Sequence, residues 1–255
     1  MRSFVKQAER AARLVSGPPA QKRKARHDLV ATVMSRLGFR MYGPQASWFE
    51  NQEFSRAWSD FPDENGAIHD RRFNLYNFAK AWAAVDGDLA ECGVNAGRGS
   101  FIMLAANRNN GKHLYGFDSF EGLSGPVEAD RPRDSRARAW ELHDLAVDEE
   151  QARRNLRAFE GRFTLLKGWI PERFPDVAGK RFSLVHIDVD LYEPTLASLE
   201  FFWPRLSPGG LVVCDDYGSR RCPGARRAMD EFAGLKGLAV AELTSMQGAL
   251  FKWSA

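Results

Sequence analysis

The sequence predicts an α/β fold: a mostly parallel, Rossmann-like sheet flanked by helices, with a C-terminal antiparallel hairpin and a helical N-terminal extension. Three observations predict it. Two apolar, β-branched runs, Leu184-Val185-His186-Ile187-Asp188-Val189-Asp190 and Leu211-Val212-Val213-Cys214-Asp215-Asp216, have strand length and end in carboxylates. An earlier run at 89–94 leads into a glycine turn, Gly93-Val94-Asn95-Ala96-Gly97-Arg98-Gly99. From Asp88 onward such runs alternate with helical patterns, and repeated strand–helix units imply a parallel sheet covered on both faces.

The extension, residues 1–84, shows helices and loops without a convincing strand, and the sheet domain is expected over 85–255. Arg2, Lys6, Arg10 and Arg13 recur at helical spacing, with Phe4, Val5, Ala8, Ala12 and Val15 largely opposite them, an amphipathic helix. Lys22-Arg23-Lys24 and Arg26 follow the Gly17-Pro18-Pro19 break. No aromatic residues interleave these cations to stack bases, so a solvated face packed on a neighbouring subunit is expected rather than a nucleic-acid arm or a membrane-surface helix. Residues 71–84 carry Phe73, Leu75, Tyr76, Phe78, Ala79 and Trp82 and predict a helix with a broad apolar face. Strands are expected at 89–94, 113–117, 163–166, 183–187 and 211–214, with helices such as 100–107 and 195–206 between them. The polar stretch 121–150 reads as a flap and a helix. Segments 239–243 and 249–253, around Met246-Gln247-Gly248, read as the hairpin.

Composition narrows the function classes. With 255 residues, 44% apolar and 27% charged, the chain has the make-up of a soluble globular protein. No run approaches the roughly 18 apolar residues of a membrane span, and no secretory signal is evident at the N-terminus. Cys92, Cys214 and Cys222 are too few for a disulfide framework, so a cytoplasmic location is expected. A net charge of +3 does not call for nucleic acid. No Cys/His spacing suggests zinc, and no Gly-x-Ser-x-Gly suggests a hydrolase.

The chemistry is expected at the carboxyl edge of the sheet, where α/β proteins bind ligands. Asp188, Asp190, Asp215 and Asp216 would converge there, and like charges at that density call for a cation, a hard divalent metal being the natural one. Either pair alone would read as turn or cap residues, and Asp215-Asp216 stands before a helix opened by Pro223. The glycine turn has the spacing G-x-x-x-G-x-G, not the G-x-G-x-x-G of dinucleotide enzymes. Glu91 beside it would repel a pyrophosphate but suit a cationic ligand such as a sulfonium with its ammonium group. Asp118, ending the next strand, sits where an acid accepts from ribose hydroxyls. Together these residues describe S-adenosylmethionine better than NAD. Trp169, after Lys167-Gly168, covers an adenine ring or is ordinary core. His186 is expected as a hydrogen-bonded core histidine, and His143 as a solvated loop residue.

Four segments carry a family resemblance: Gly87-Asp88-Leu89-Ala90-Glu91-Cys92-Gly93-Val94, Phe117-Asp118-Ser119-Phe120-Glu121-Gly122-Leu123, His186-Ile187-Asp188-Val189-Asp190-Leu191-Tyr192-Glu193-Pro194-Thr195, and Asp215-Asp216-Tyr217-Gly218 followed by Pro223-Gly224-Ala225-Arg226-Arg227-Ala228. In that order, over about residues 70–255, the chain resembles the macrocin O-methyltransferase family, whose members methylate sugar hydroxyls in antibiotic biosynthesis. The resemblance implies a class I methyltransferase fold, S-adenosyl-L-methionine, Mg²⁺, often a homodimer with a helical lid, and a small-molecule hydroxyl acceptor, a sugar with a vicinal diol above all. Asp188, Asp215 and Asp216 would ligate the metal, and Asp190 or Asp188 would be the base. The cofactor would be held by Glu91, Gly93, Gly97, Ser100, Asp118, Ser119, Gly168, Trp169 and Asp188. One departure is visible: Asn95-Ala96-Gly97-Arg98-Gly99 replaces the family's aromatic-Arg-Gly-Gly run. The rival readings are an Asp-x-Asp glycosyltransferase built on Asp188-Val189-Asp190, a non-catalytic S-adenosylmethionine-binding protein and, disfavoured by the glycine spacing, an NAD dehydrogenase.

Overall fold

A computed structural model describes residues 16, 18–38, 48, 51–62, 69–132 and 138–253. Two compact units divide the chain, Met1–Asp60 and Phe61–Ala255. The first contains helices α1 (Pro19–Arg36), opened by a proline at its first position, and α2 (Gln52–Asp60). The basic segment around Arg2, Lys6, Arg10 and Arg13 lies outside the described residues. The second unit begins at Phe61 rather than near residue 85, and so includes helix α3 (His69–Ala81). Among the described residues no helix is long and apolar enough to cross a membrane.

Seven strands form one sheet: β1 (Asp88–Cys92), β2 (Leu114–Asp118), β3 (Phe163–Lys167), β4 (Phe182–Ile187), β5 (Leu206–Cys214), β6 (Ala241–Glu242) and β7 (Gly248–Phe251). Their order is β3-β2-β1-β4-β5-β7-β6. The first five run parallel, and β7 is antiparallel to both β5 and β6. Helices α4 (Arg98–Ala106), α5 (Glu149–Leu156), α6 (Tyr192–Phe202) and α7 (Pro223–Leu235) complete the unit. The central strands are buried on both faces, which explains their near-continuous apolar sequence. Along β1, β4 and β5 the side chains alternate between two cores. Ala90, Val185 and Val212 pack with Leu199, Phe202, Met229 and Phe232 of α6 and α7. Leu89, Leu184, Leu211 and Val213 pack with Leu75 and Ala79 of α3 and with Phe101 and Leu104 of α4. Helix α3 is thus integral to the second core and not separate from the sheet.

Two boundaries differ from expectation. Strand β5 starts at Leu206, because Pro208-Gly209-Gly210 reads as a breaker but lies within an extended segment, with Gly209 at φ +78° as its irregularity. Helix α6 starts at Tyr192, two residues after Asp190, so the connection after β4 is only four residues long. The segment 121–150 is fastened to the sheet's carboxyl end where it is described. The Leu123 N–H donates to the Asp144 carbonyl, the His143 N–H donates to the Leu123 carbonyl, and buried Asp130 accepts from the Tyr192 backbone N–H at 2.7 Å.

Candidate active site

The sheet order reverses between β1 and β4, which run outward to neighbours on opposite sides, and the crevice at such a point is where α/β sheets bind ligands. Register fixes what meets there. Glu91 stands opposite His186, one residue before the end of each strand and on the same face. Their side chains are buried, and His186 Nδ1 lies 2.9 Å from Glu91 Oε1. The Ser100 hydroxyl donates to Glu91 Oε2 from the first turn of α4. Gly99 is required above this pair, since a Cβ there would lie 1.9 Å from Glu91 Oε1. One residue further along the strands, Gly93 (φ +85°) passes so close to β4 that a Cβ would lie 1.9 Å from the Asp188 carbonyl oxygen.

The glycine turn is closed by Asp118. Its Oδ2 accepts from the backbone N–H groups of Val94 and Asn95, both at 2.8 Å, and its Oδ1 from that of Phe120 at 2.7 Å. Burial pushes this carboxyl above the ordinary carboxylate range, while the three N–H donors pull it back down. Three of about four lone-pair sites are thereby used, which leaves room for about one ribose hydroxyl. A cavity of about 450 Å³ opens beside the turn. Of the expected cofactor residues, Glu91, Gly93, Asp118, Trp169 and Asp188 line it. The other four do not line it. Gly97 is the N-cap of α4 at φ +89°, Ser100 holds Glu91, the Ser119 hydroxyl donates to the Gly122 carbonyl, and Gly168 (φ +155°) precedes Trp169.

The four carboxylates do converge, and part of the compensating charge comes from the chain itself. Arg71 Nη1 donates to Asp215 Oδ2 and Asp216 Oδ1, both at 3.1 Å. Arg72 Nη2 donates to Asp188 Oδ2 at 3.0 Å, and Arg72 Nη1 lies 3.5 Å from Asp215 Oδ1. Gln247 Nε2 donates to Asp215 Oδ1 at 2.8 Å, and His186 Nε2 lies 3.3 Å from the same oxygen. Burial opposes the charge of Asp215, but Arg72, His186 and Arg71 hold it well below the usual carboxylate range. Burial likewise opposes charge on His186, yet its bonds to Asp215 and Glu91 raise it to about 10. Asp216 is pushed well above the usual range by burial and by Asp190, Asp188 and Asp215. Asp190 is pushed up to about 6 by burial and by Asp188, and its Oδ1 accepts from the Cys222 thiol at 3.2 Å. Asp190 also sits at φ +60°, a strained conformation of the kind found at functional sites.

The donors suit a divalent cation, being hard carboxylate oxygens, and buried Asp216 Oδ2 has no hydrogen-bond partner. Among the described residues two sets bring three donor atoms within 4.8 Å of one another: His186, Asp188 and Asp215, and Asp190, Asp216 and Cys222. The expected ligands Asp188, Asp215 and Asp216 are divided between those sets. Neither acid of the second pair caps the following helix, whose N-cap is Cys222 without a side-chain cap bond.

Sequence reasoning missed Arg71, Arg72, Gln247 and Cys222. Adjacent arginines at the start of a helix with a broad apolar face were the available signal, as was a glutamine between Met246 and Gly248 in a hairpin turn. His186 is the buried, hydrogen-bonded histidine expected, and His143 is exposed, with Nδ1 at 2.8 Å from the Glu121 carbonyl oxygen.

A parallel sheet ordered 3-2-1-4-5 with an antiparallel strand inserted beside β5, and a glycine turn at the switch point, define a class I methyltransferase fold. Solved structures share it. The chain superposes on the O-methyltransferase NovP with a TM-score of 0.59 and 28% identity, over 72% of this chain and 80% of that one. It superposes on the calicheamicin methyltransferase CalS11 with a TM-score of 0.60 and 20% identity, over 100% and 94%. The family model of macrocin-O-methyltransferase (TylF) matches residues 56–252, and the chain belongs to that family. Curated relatives include an 8-demethyl-8-(2,3-dimethoxy-alpha-L-rhamnosyl)-tetracenomycin-C 4'-O-methyltransferase of Streptomyces olivaceus, 36% identical over 60% of each chain. A demethyldecarbamoylnovobiocin O-methyltransferase of Streptomyces niveus is 32% identical over 58% of each. The chain thus spans about 60% of the length of these relatives.

Proposed function

We propose that the protein is an S-adenosylmethionine-dependent O-methyltransferase that acts on a hydroxyl of a sugar-containing small molecule, with Mg²⁺ at the carboxylate cluster. The observation that carries this reading is the union, at one switch point, of the cavity beside the glycine turn with the carboxylates of β4 and β5, in a chain of the TylF family. The sugar acceptor is inferred from relatives named for rhamnosyl and antibiotic substrates. Family membership also weighs against the glycosyltransferase and dehydrogenase readings, because Asp188-Val189-Asp190 lies within the matched region.

In this reading Asp118 and Trp169 flank the adenosine end of the donor. Asp188, Asp215 and Asp216 would hold the cation, whose chemistry would be to lower the pKa of an acceptor hydroxyl. Asp190 receives the acceptor's proton on its carboxylate. Burial and the neighbouring acid raise its basicity toward the working pH, where a general base is most effective. Asp190 is positioned by the Cys222 thiol and by its own strained backbone. The test is transfer of labelled methyl from S-adenosylmethionine to rhamnoside vicinal diols, with Mg²⁺ or with EDTA, for wild type and Asp215→Ala. Turnover that needs Mg²⁺ and disappears in the variant supports the proposal. Unchanged turnover in EDTA, or in the variant, refutes the metal assignment, and failure of the wild type to bind S-adenosylmethionine or S-adenosylhomocysteine refutes the whole reading.

A further inference from the structure

We infer that Arg72 receives the α-carboxylate at the methionine end of the methyl donor and makes that carboxylate a requirement for tight binding. The inference rests on the methyl-donor reading above and adds to it a residue and the chemical group that it selects.

Arg72 lines the cavity together with Glu91, Gly93, Gly99, Asp118 and Trp169. Its Nη2 is committed to Asp188 at 3.0 Å, but its buried Nη1 has no hydrogen-bond partner. The 3.5 Å approach of Nη1 to Asp215 is an ion pair without a hydrogen bond. A buried guanidinium N–H without an acceptor is costly, and an anionic ligand oxygen would satisfy it.

The donor's own chemistry supplies such an oxygen. Its adenosine end is neutral, whereas its amino-acid end carries a carboxylate that is repelled by Asp188 and Glu91 unless a cation stands among them. Glu91 is already engaged, with one oxygen facing His186 and the other holding Ser100. Among the described residues, two cationic side chains line the cavity, Arg72 and Arg98. The Arg98 guanidinium lies over the Phe61 ring at 4.3 Å from its centroid, which leaves Arg72 as the cation with a donor still to place. The N-terminus of α4 adds a second attraction. Gly97 caps that helix with no side-chain cap bond, although the Glu91 carboxylate already meets its first turn at Gly99 and Ser100. A guanidinium can hold Asp188 with one edge and a ligand carboxylate with the other, which the point charge of a lysine does less well.

Calorimetric titration of S-adenosylmethionine against decarboxylated S-adenosylmethionine, on the full chain in EDTA, tests this directly. The two probes differ only in the α-carboxylate. A charge-assisted hydrogen bond of this kind corresponds to roughly 10- to 100-fold in Kd. Wild type is expected to prefer the carboxylate-bearing probe by that factor. Arg72→Met should weaken S-adenosylmethionine to the level of the decarboxylated probe while changing the latter about twofold or less, and Arg72→Lys should recover part of the loss. Equal affinity of wild type for the two probes overturns the inference, whether or not the variants fold. A preference that survives in Arg72→Met, or an equal loss of both probes in a variant whose unfolding transition is intact, overturns it as well. Binding of neither probe by wild type overturns the methyl-donor reading, and this inference with it.

Discussion

Neutralising His186 should destabilise the metal-free protein, and the pH dependence is calculable. His186 is wholly buried between Glu91 and Asp215, and its folded-state value is about 10 against an ordinary value of 6.5. A cationic group raised on folding contributes stability that is fully present below its unfolded value and is lost as pH rises through its folded value. The window is therefore about pH 6.5 to 10. At about 1.4 kcal/mol per pH unit, the contribution lost between pH 6 and 10 is on the order of 4 kcal/mol. His186→Gln keeps hydrogen-bonding capacity but cannot titrate. Urea unfolding of both proteins in EDTA, from pH 6 to 10, isolates the effect, because tyrosines and lysines titrate alike in the two. The stability difference, wild type minus variant, should shrink steadily over that range by several kcal/mol. A difference constant within about 0.5 kcal/mol would mean that the imidazole is neutral in the fold, and the charge balance derived for the site would be wrong.

Two further substitutions probe the same region. Gly93→Ala places a Cβ 1.9 Å from the Asp188 carbonyl oxygen at φ +85°, so a left-handed penalty of about 1 kcal/mol and an overpacking cost of about 1–3 kcal/mol should both appear in urea unfolding; a loss below about 1 kcal/mol would show that β1 and β4 separate freely there. Asp216→Asn removes a buried charge crowded by Asp190, Asp188 and Asp215 while keeping an oxygen for Arg71, so thermal unfolding in EDTA should move up by a few degrees, the ~1 kcal/mol expected of relieving such a charge. A lower Tm would mean that Arg71 already compensates that charge.

Much of this molecule was legible because local patterns and global fold agree. Buried parallel strands write themselves as apolar runs, and Glu91 and His186 stand out as the polar residues on otherwise apolar strand faces. The carboxylates at the ends of β4 and β5 follow from strand direction alone. What escaped was the identity of the element above them. Arg71 meets Asp215 across a sequence separation of 144, and Gln247 meets the same acid from a hairpin turn 32 residues later. No periodicity within α3 announces that its first turn lies over the ends of strands so distant in sequence. The sequence of β5 reads five residues short for the opposite reason, since Pro208-Gly209-Gly210 is a local breaker signal, yet β4 pairs with Leu206 before it and Leu211 after it, and Gly209 and Gly210 bond to Lys252.

Four converging carboxylates require positive charge, but guanidinium groups can provide it as well as an ion can, and here they provide part of it. The two arginines are not equivalent in that task. Arg71 is anchored by three acceptors and one donor: Nη1 donates to Asp215 and Asp216, Nε donates to the Ser245 carbonyl, and the Gln247 amide donates to both the Arg71 carbonyl and Asp215. That makes it a fixed counter-ion, built into the second core. Arg72 is held by one hydrogen bond to Asp188, and its buried Nη1 has no hydrogen-bond partner. A cation drawn to Asp188 must compete with Arg72, and a ligand carboxylate drawn to Arg72 must compete with Asp188. Each would loosen the other's rival, so the metal-free pairing of Arg72 with Asp188 predicts that donor and cation bind with mutual support.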